Sequence, residues 1–353
     1  MFEQIEPVQE KVVYVAAHSG GHIIPAITLA KKNGLNNSLF LISKNELDQK
    51  IISSQETPID HICFDLPHTP IFKKSFFWLI KVIKTFFKSL FLFFKIGKCK
   101  VITTGSVLSI PVCLAAKITN NKVELIELNV EPGRSTKLIA RLADKIYVLY
   151  EITKNKLNML ISQHKIEKIN YPIKWPNLKD SKKKLPIKTD NKLLVIIGGS
   201  QGAESLNDLV LEWCKNCNLK DYTIIHQTGK GSNKYQDFYK SNNIDAYVYS
   251  FIDDLEPFYK YADIIISRAG AGGIAEAVWS DAKVILVPLT TGAASHQISN
   301  ALAAQSEHPE KITIVNQQDN IDNNFLKKFI DQAQPDYHQP TFVNTNKYDQ
   351  VRE

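Results

Sequence analysis

The feature that most limits the fold is an alternation of short, almost uninterrupted apolar runs with turns and helix-like stretches. The run VVYV at 12–15 has no polar face. A strand of that kind must be covered on both sides, as in a parallel sheet flanked by helices. Strand-like runs at 11–17, 38–43, 100–104, 122–128 and 145–149 are separated by helical stretches beginning near Ile23, Phe72, Val107, Gly133 and Thr153. A polar, lysine-rich stretch broken by Pro186, NLKDSKKKLPIKTDN at 177–191, then interrupts the pattern. The alternation restarts with strand-like runs at 192–197, 222–227, 246–250, 263–267, 283–287 and 311–315. Two βα arrays of similar size predict an α/β chain with two Rossmann-like domains, their parallel sheets facing across a cleft. The expected boundaries are a first domain at 1–176, a linker at 177–191, a second domain at 192–331 and a polar tail at 332–353. A chain of 353 residues suffices for two domains of ordinary size.

Composition narrows the partners without choosing one. The net charge of +7, carried mostly by lysine, suits an anionic partner such as a membrane surface, a nucleic acid or a phosphorylated substrate. Five cysteines form no disulfide framework. Cys214 and Cys217 make a C-x-x-C within a helix-like stretch, with no second pair or histidine cluster nearby, and read as reduced thiols. The start of the chain carries acidic residues where a secretion signal needs basic ones, so no such signal is expected.

The residues with chemical potential gather where strands end. IIISRAGAGGIAEAVW reads as a buried strand, a glycine-rich turn after Arg268, and a helix. Such a turn presents backbone N–H groups at a helix N-terminus, where phosphate and sugar oxygens bind. Glu276 follows one to two turns into that helix, within reach of ribose hydroxyls, and His296, Gln297 and Asn300 open the next helix. The first strand leads into His18-Ser19-Gly20-Gly21-His22. Two adjacent glycines admit close backbone approach, and His22 is placed to act as a base or hold a phosphate. A tight turn with a surface histidine has the same pattern. The matching turn in the second array is Gly198-Gly199-Ser200-Gln201-Gly202, with Ser200 and Gln201 suited to a diphosphate. Residues 226–231 (HQTGKG) fit rim contacts and an ordinary loop equally well. Glu127, Asn129, Glu131 and Gly133 lie at another strand end, where Asn129 could hold a sugar or an incoming hydroxyl and the group could equally cap a helix. None of the glycine turns matches G-x-G-x-x-G or the Walker A spacing, which disfavours NAD and P-loop chemistry. No metal motif stands out; Asp253-Asp254 reads as the acidic start of a helix.

From Ile71 to Lys98 the sequence is IFKKSFFWLIKVIKTFFKSLFLFFKIGK. Lys74, Lys81, Lys84, Lys88 and Lys95 fall within roughly an 80° arc at 100° per residue, and most of the remaining circumference is aromatic or aliphatic. No uncharged run approaches the ~20 residues that span a bilayer. The pattern fits an interfacial helix on an anionic membrane surface, and also a domain helix with a buried apolar face and a solvated lysine stripe.

Taken together, IIGGSQGAESLN, IIHQTGKGS, FIDDLEPFYKYADIIISRAGAGGIAEA and VILVPLTTGAASHQISNA resemble the MurG family, the two-domain GT-B glycosyltransferases of bacterial cell-wall synthesis. The resemblance covers roughly residues 10–330. It implies inverting transfer of N-acetylglucosamine (GlcNAc) from UDP-GlcNAc to undecaprenyl-diphospho-muramyl pentapeptide (lipid I), giving lipid II. It places the enzyme peripherally at the cytoplasmic face of the membrane, with no cofactor, no structural metal and no nucleic-acid partner. By the same resemblance Ser19, Gly20 and Gly21 line the diphosphate and acceptor side, and His22 is the glycine-loop histidine. Asn129, a catalytic residue together with His22, meets the donor sugar, Ser200 and Gln201 the donor, and the Ile252 backbone the uracil. Ala271, Gly272, Gly273, Ile274, Ala275 and Glu276 lie on the nucleotide, with Glu276 on its ribose. Gln297 reads the GlcNAc hydroxyls, and Lys174 stands at the position of a family arginine.

The departures are confined to the first half. The family's Gly-Gly-Thr-Gly-Gly-His is here Ala16-Ala17-His18-Ser19-Gly20-Gly21-His22, with the leading glycines lost and His18 inserted at the threonine side; its Gly-Gly-Tyr loop is Thr104-Gly105-Ser106-Val107, and its His-Glu-Gln-Asn is Ile126-Glu127-Leu128-Asn129. The donor is therefore better specified than the acceptor. A UDP-sugar transferase acting on another membrane lipid, and a non-catalytic nucleotide-sugar-binding scaffold, remain open alternatives.

Overall fold

A computed structural model describes residues 11–66, 75–173, 185, 187, 189–198, 203–229, 231–289, 296–316 and 322–332. The chain divides into two compact units, Met1–Lys174 and Trp175–Glu353.

In the first unit the elements run β1 (Lys11–Val15), α1 (Gly20–Asn33), β2 (Ser38–Ser43), α2 (Glu46–Ser53), β3 (His61–Phe64), α3 (Ser75–Ile96), β4 (Cys99–Thr103), α4 (Ser109–Ile118), β5 (Lys122–Glu127), α5 (Arg134–Leu142), β6 (Lys145–Val148), α6 (Glu151–Asn158) and β7 (Ile166–Lys168). All seven strands are parallel, in the order β3-β2-β1-β4-β5-β6-β7. Right-handed crossovers then put α1 and α2 on one face of the sheet and α3, α4 and α5 on the other. The apolar runs become the covered centre: Val13, Val15, Leu41, Val101, Val123 and Leu125 are sealed from solvent.

The second unit runs β8 (Lys192–Ile197), α7 (Glu204–Lys215), β9 (Tyr222–Gln227), α8 (Ser232–Ser241), β10 (Ala246–Tyr249), α9 (Glu256–Tyr261), β11 (Ile264–Ser267), α10 (Ala271–Trp279), β12 (Lys283–Leu286), α11 (His296–Glu307), β13 (Ile312–Ile314) and α12 (Phe325–Gln332). Its six parallel strands are ordered β10-β9-β8-β11-β12-β13. Both units thus have the Rossmann-like architecture the alternation predicts. The sequence pattern did not reveal β3, β7 or α2, which are short and carry polar residues, and α1 begins three residues earlier than expected, at Gly20.

Two readings of second-half residues need correcting. His226 and Gln227 are not rim residues; both are buried in β9. The His226 ring lies between two partners, Nε2 donating to Asn207 Oδ1 (3.1 Å) and Nδ1 accepting from the Tyr239 hydroxyl (3.0 Å). The tautomer follows from Asn207, whose Nδ2 is committed to the Thr228 carbonyl (2.9 Å). Burial pushes the imidazole pKa down to about 3. An unfolded chain takes up this proton near pH 6.5 and the folded one does not. Folding stability should therefore fall as pH drops from about 6.5 toward 3, by about 3 kcal/mol at pH 4.5 from this residue. Denaturant midpoints of wild type and His226→Gln between pH 7 and 4.5 measure it: the gap between them should narrow with acid, and parallel curves would refute the assignment. Cys217, the second correction, lies just beyond the end of α7 rather than within it. Burial raises both thiols of the C-x-x-C, Cys217 to about 11, so neither is an activated nucleophile.

Helix α3 separates three faces. Trp78, Val82, Phe86 and Phe93 pack on the core, together with the buried Thr85 and Ser89. Phe76, Leu79, Ile83, Phe87, Phe91 and Phe94 form a second, exposed stripe within about 120° of arc. Phe87 is 60%, Phe91 74% and Phe94 70% exposed. Lys81, Lys84, Lys88 and Lys95 border that stripe. The apolar residues are thus not all buried, as a simple domain helix with a lysine stripe would require. No described helix is long and apolar enough to cross a membrane. The start of the expected segment, 71–74, lies outside the described residues, as do most of the expected linker and all of the tail from 333.

Candidate active site

In open parallel sheets ligands bind beyond the strand C-termini, where neighbouring connections diverge to opposite faces. In the first unit that point lies between β1 and β4; in the second it lies between β8 and β11. The first is flanked by the turns at 16–19 and 104–108, the second by Gly198 after β8 and by the turn at 268–270.

At the first switch point, His18 adopts φ +72° in the stretch where the family pattern is glycine-rich. A β-carbon in that region costs about 1–2 kcal/mol. The strain is held by a carboxylate: the His18 N–H donates to Asp48 Oδ1 and Oδ2 (3.1 and 2.9 Å), and Asp48, fully buried, also accepts from the Ser43 hydroxyl (2.6 Å). The His18 ring is fixed by Nε2 against the Leu66 carbonyl (2.8 Å). The clamp delivers Ser19 as the N-cap of α1, with its hydroxyl not spent on capping the helix. Gly20, Gly21 and His22 form the first turn. Only His22 and Ile23 of that turn return their N–H groups to the Ser19 carbonyl, which leaves the glycine amides at the helix mouth for an anion. The Thr104 hydroxyl donates to the His22 carbonyl (3.1 Å), joining the two loops that flank the switch point. Asn129 is half-buried in the loop after β5.

The second switch point is built in parallel fashion. Arg268, directly after β11, is buried; Nη2 donates to the Ser205 hydroxyl in the first turn of α7 (2.6 Å), and Nη1 to the Val287 carbonyl (3.0 Å). Burial lowers its pKa to about 10, so it stays charged at neutral pH. Gly270 caps α10, and Ala271, Gly272, Gly273, Ala275 and Glu276 are half-buried along its first two turns; Ile274 points into the core and offers only its backbone. The Ile252 side chain is buried and its N–H donates to Gln227 Oε1 (2.9 Å), so a base could be read there only through the remaining backbone groups or after Gln227 turns away. Gln297 accepts the Leu289 N–H on Oε1 (3.1 Å), which turns its amide nitrogen toward the other side. Asn300 is buried and donates to the Ala269 carbonyl (3.4 Å), a support for the glycine turn rather than a surface contact. Ser200, Gln201 and Lys174 lie outside the described residues.

The sequence does not reveal Asp48, the bond of Thr104 to the first loop or the supporting role of Arg268. Asp48 lies in α2, which the sequence pattern does not reveal, and nothing local marks it as buried. Arg268 did leave a trace, a cation directly after an all-apolar strand.

Comparison with known proteins agrees with this division. The glycosyltransferase family 28 N-terminal domain matches residues 12–148 and the family 28 C-terminal domain residues 193–349. The chain is 31% identical over 338 residues to a UDP-N-acetylglucosamine–N-acetylmuramyl-(pentapeptide) pyrophosphoryl-undecaprenol N-acetylglucosamine transferase of Pelagibacter ubique, covering 89% of this chain and 90% of that one. An enzyme of the same name from Borreliella afzelii is 31% identical over 309 residues, covering 84% and 81%. Among solved structures, Acinetobacter baumannii MurG superposes with a TM-score of 0.69 at 22% identity, covering 91% of this chain and 90% of that one, a likeness of fold.

Proposed function

The chain belongs to the MurG family within glycosyltransferase family 28, and from that premise we propose that it transfers GlcNAc from UDP-GlcNAc to lipid-linked muramyl pentapeptide with inversion at the sugar carbon. The observation that carries the donor half is the second switch point: a glycine turn opening α10, Glu276 in its second turn, and Gln297 with its oxygen already committed. The diphosphate sits at the helix mouth, the ribose hydroxyls on Glu276, and the GlcNAc hydroxyls on the Gln297 amide.

For the reaction, the acceptor hydroxyl gives its proton to His22 and its oxygen attacks the sugar carbon from the face opposite the diphosphate. The bond from that carbon to the phosphate oxygen breaks and UDP leaves. Its negative charge is met by the amide groups and dipole at the N-terminus of α10. The glycine amides of α1 and the Ser19 hydroxyl take the acceptor's own diphosphate. Here the rebuilt loop matters: the His18–Asp48 clamp supports a loop that has lost its leading glycines yet still opens onto α1.

The membrane side of the proposal rests on α3. Its exposed Phe, Leu and Ile stripe would lie among acyl chains, beside lysines at headgroup level. The first unit carries 24 Lys and Arg against 14 Asp and Glu, net +10, while the second carries 19 against 22, net −3. This asymmetry would present the first unit to an anionic surface, as expected of a peripheral enzyme at the cytoplasmic membrane face. Lys81 is paired with Asp65 (3.0 Å) and Lys88 with the Cys63 carbonyl (3.2 Å), so the apolar stripe is the stronger part of this case.

Glu276→Ala should raise the KM for UDP-GlcNAc about 10- to 100-fold, the worth of hydrogen bonds to a charged group, with kcat much less affected. A donor lacking the ribose hydroxyls should lose the same factor with wild type and nothing further with the variant; a further loss with the variant would displace Glu276 from the ribose. The function itself is tested by supplying a panel of UDP-sugars and polyprenyl-linked acceptors and measuring UDP release. Release should require GlcNAc on the donor and the muramyl pentapeptide on the acceptor. Release only with other lipids, or donor binding without release, would overturn it.

A further inference from the structure

Glu127, at the end of β5, is 3% exposed and has no cation beside it among the described residues. It is instead ringed by donors. Oε1 accepts the Asn129 backbone N–H (2.8 Å) and its side-chain Nδ2 (3.3 Å), and Oε2 accepts the Thr136 hydroxyl (2.6 Å). The Gly133 N–H, at the cap of α5, adds a further bond. Burial raises the carboxyl above its ordinary range, and these donors offset that rise only in part. The same cluster governs the loop after β4: Ser135 donates to the Gly105 carbonyl (2.5 Å), and at Gly105, φ +93°, a β-carbon would stand 2.8 Å from Thr136 Oγ1.

A buried carboxylate without a cation is costly unless every lone pair is used. Its most specific effect here is on an amide. Asn129 can turn its side chain two ways, presenting either NH2 or oxygen. The groups around Glu127 donate to it, so it captures Nδ2 and turns Oδ1 away. We propose that Glu127 is a positioning residue that sets the Asn129 amide with its carbonyl oxygen toward the substrate, so that Asn129 accepts a hydrogen bond from a substrate hydroxyl and discriminates against an acceptor group at that point. This rests on the transferase reading for the identity of the substrate, but the orientation of the amide does not.

Glu127→Gln tests it. The new amide presents a donor to a ring of donors, and Asn129 is free to flip. The kcat/KM for UDP-GlcNAc should fall roughly 30- to 100-fold, the scale of a misplaced contact, with the KM for the lipid acceptor within about twofold. In an Asn129→Ala background the same substitution should cost less than about threefold, because a residue acting through Asn129 has nothing left to act on. Thr136→Val removes a donor from the same carboxylate but leaves Asn129 in place, and should stay within about threefold of wild type. An undiminished loss in the Asn129→Ala background, or a Thr136→Val as damaging as Glu127→Gln, would show that Glu127 only holds the fold. A wild type that makes no GlcNAc transfer product fails the transferase reading but not the orientation. That is read in the wild-type protein alone, by exchange of the Asn129 side-chain amide protons: one should be protected, and exchange as fast as in a free asparagine would overturn the proposal even if Glu127→Gln does not fold.

Discussion

His22→Ala is expected to lower kcat by about 10²- to 10⁴-fold, the contribution of a positioned general base, while UDP-GlcNAc binds within about twofold of wild type. The two halves of this expectation have separate origins. The donor residues Glu276 and Gln297 belong to the second unit and His22 to the first, so removing the imidazole leaves the donor contacts intact. The fold should also survive. The ring is half-buried, and the bond that joins His22 to the β4 loop is made to its carbonyl, which alanine keeps. A base must be unprotonated to act, so the acidic limb of the kcat/KM profile should vanish with the variant. Single-turnover rates across pH 5 to 9 give both quantities, and a variant turning over at the wild-type rate would remove His22 from the base role.

Phe87→Asp combined with Phe91→Asp should reduce binding to anionic vesicles by about 10²-fold or more. Burying a phenylalanine is worth about 1.5–3 kcal/mol, and both side chains project from the exposed face of α3 rather than its core face. Thermal stability should therefore be unchanged or slightly raised. Co-sedimentation with vesicles of graded anionic lipid content distinguishes the two forces. Salt should weaken wild-type binding through the lysines, whereas the double variant should fail even at low salt. Vesicle binding equal to wild type would mean that α3 does not dock on lipid.

The periodicity of the chain exposed the architecture because both sheets are covered on two faces, and a doubly covered strand has to be apolar throughout. Short edge elements such as β3 and β7 need no such purity and gave no signal. The glycine turns and the acids and amides near them were visible as types at strand ends. What they do was not visible. The separation of α3 into a core face and an exposed apolar face depends on what packs against it, and periodicity alone leaves both options. His226 could be read as a rim residue because a histidine at the end of a strand looks functional until Asn207 and Tyr239 are brought to it from α7 and α8. Asp48 and His18 are 30 residues apart, so the carboxylate that holds the altered first loop cannot be recognised from either stretch alone. The loss of glycines at Ala17 and His18 suggested a weakened site; the clamp instead shows a left-handed residue held in place by side-chain chemistry.

The most direct test is to incubate the full chain with UDP-GlcNAc and undecaprenyl-diphospho-muramyl pentapeptide in detergent or vesicles and identify the lipid product by mass and by the configuration of its new linkage. The account predicts a product heavier by one GlcNAc residue, joined with inversion, with one UDP released per lipid converted. An unchanged lipid acceptor in the presence of bound UDP-GlcNAc would contradict it.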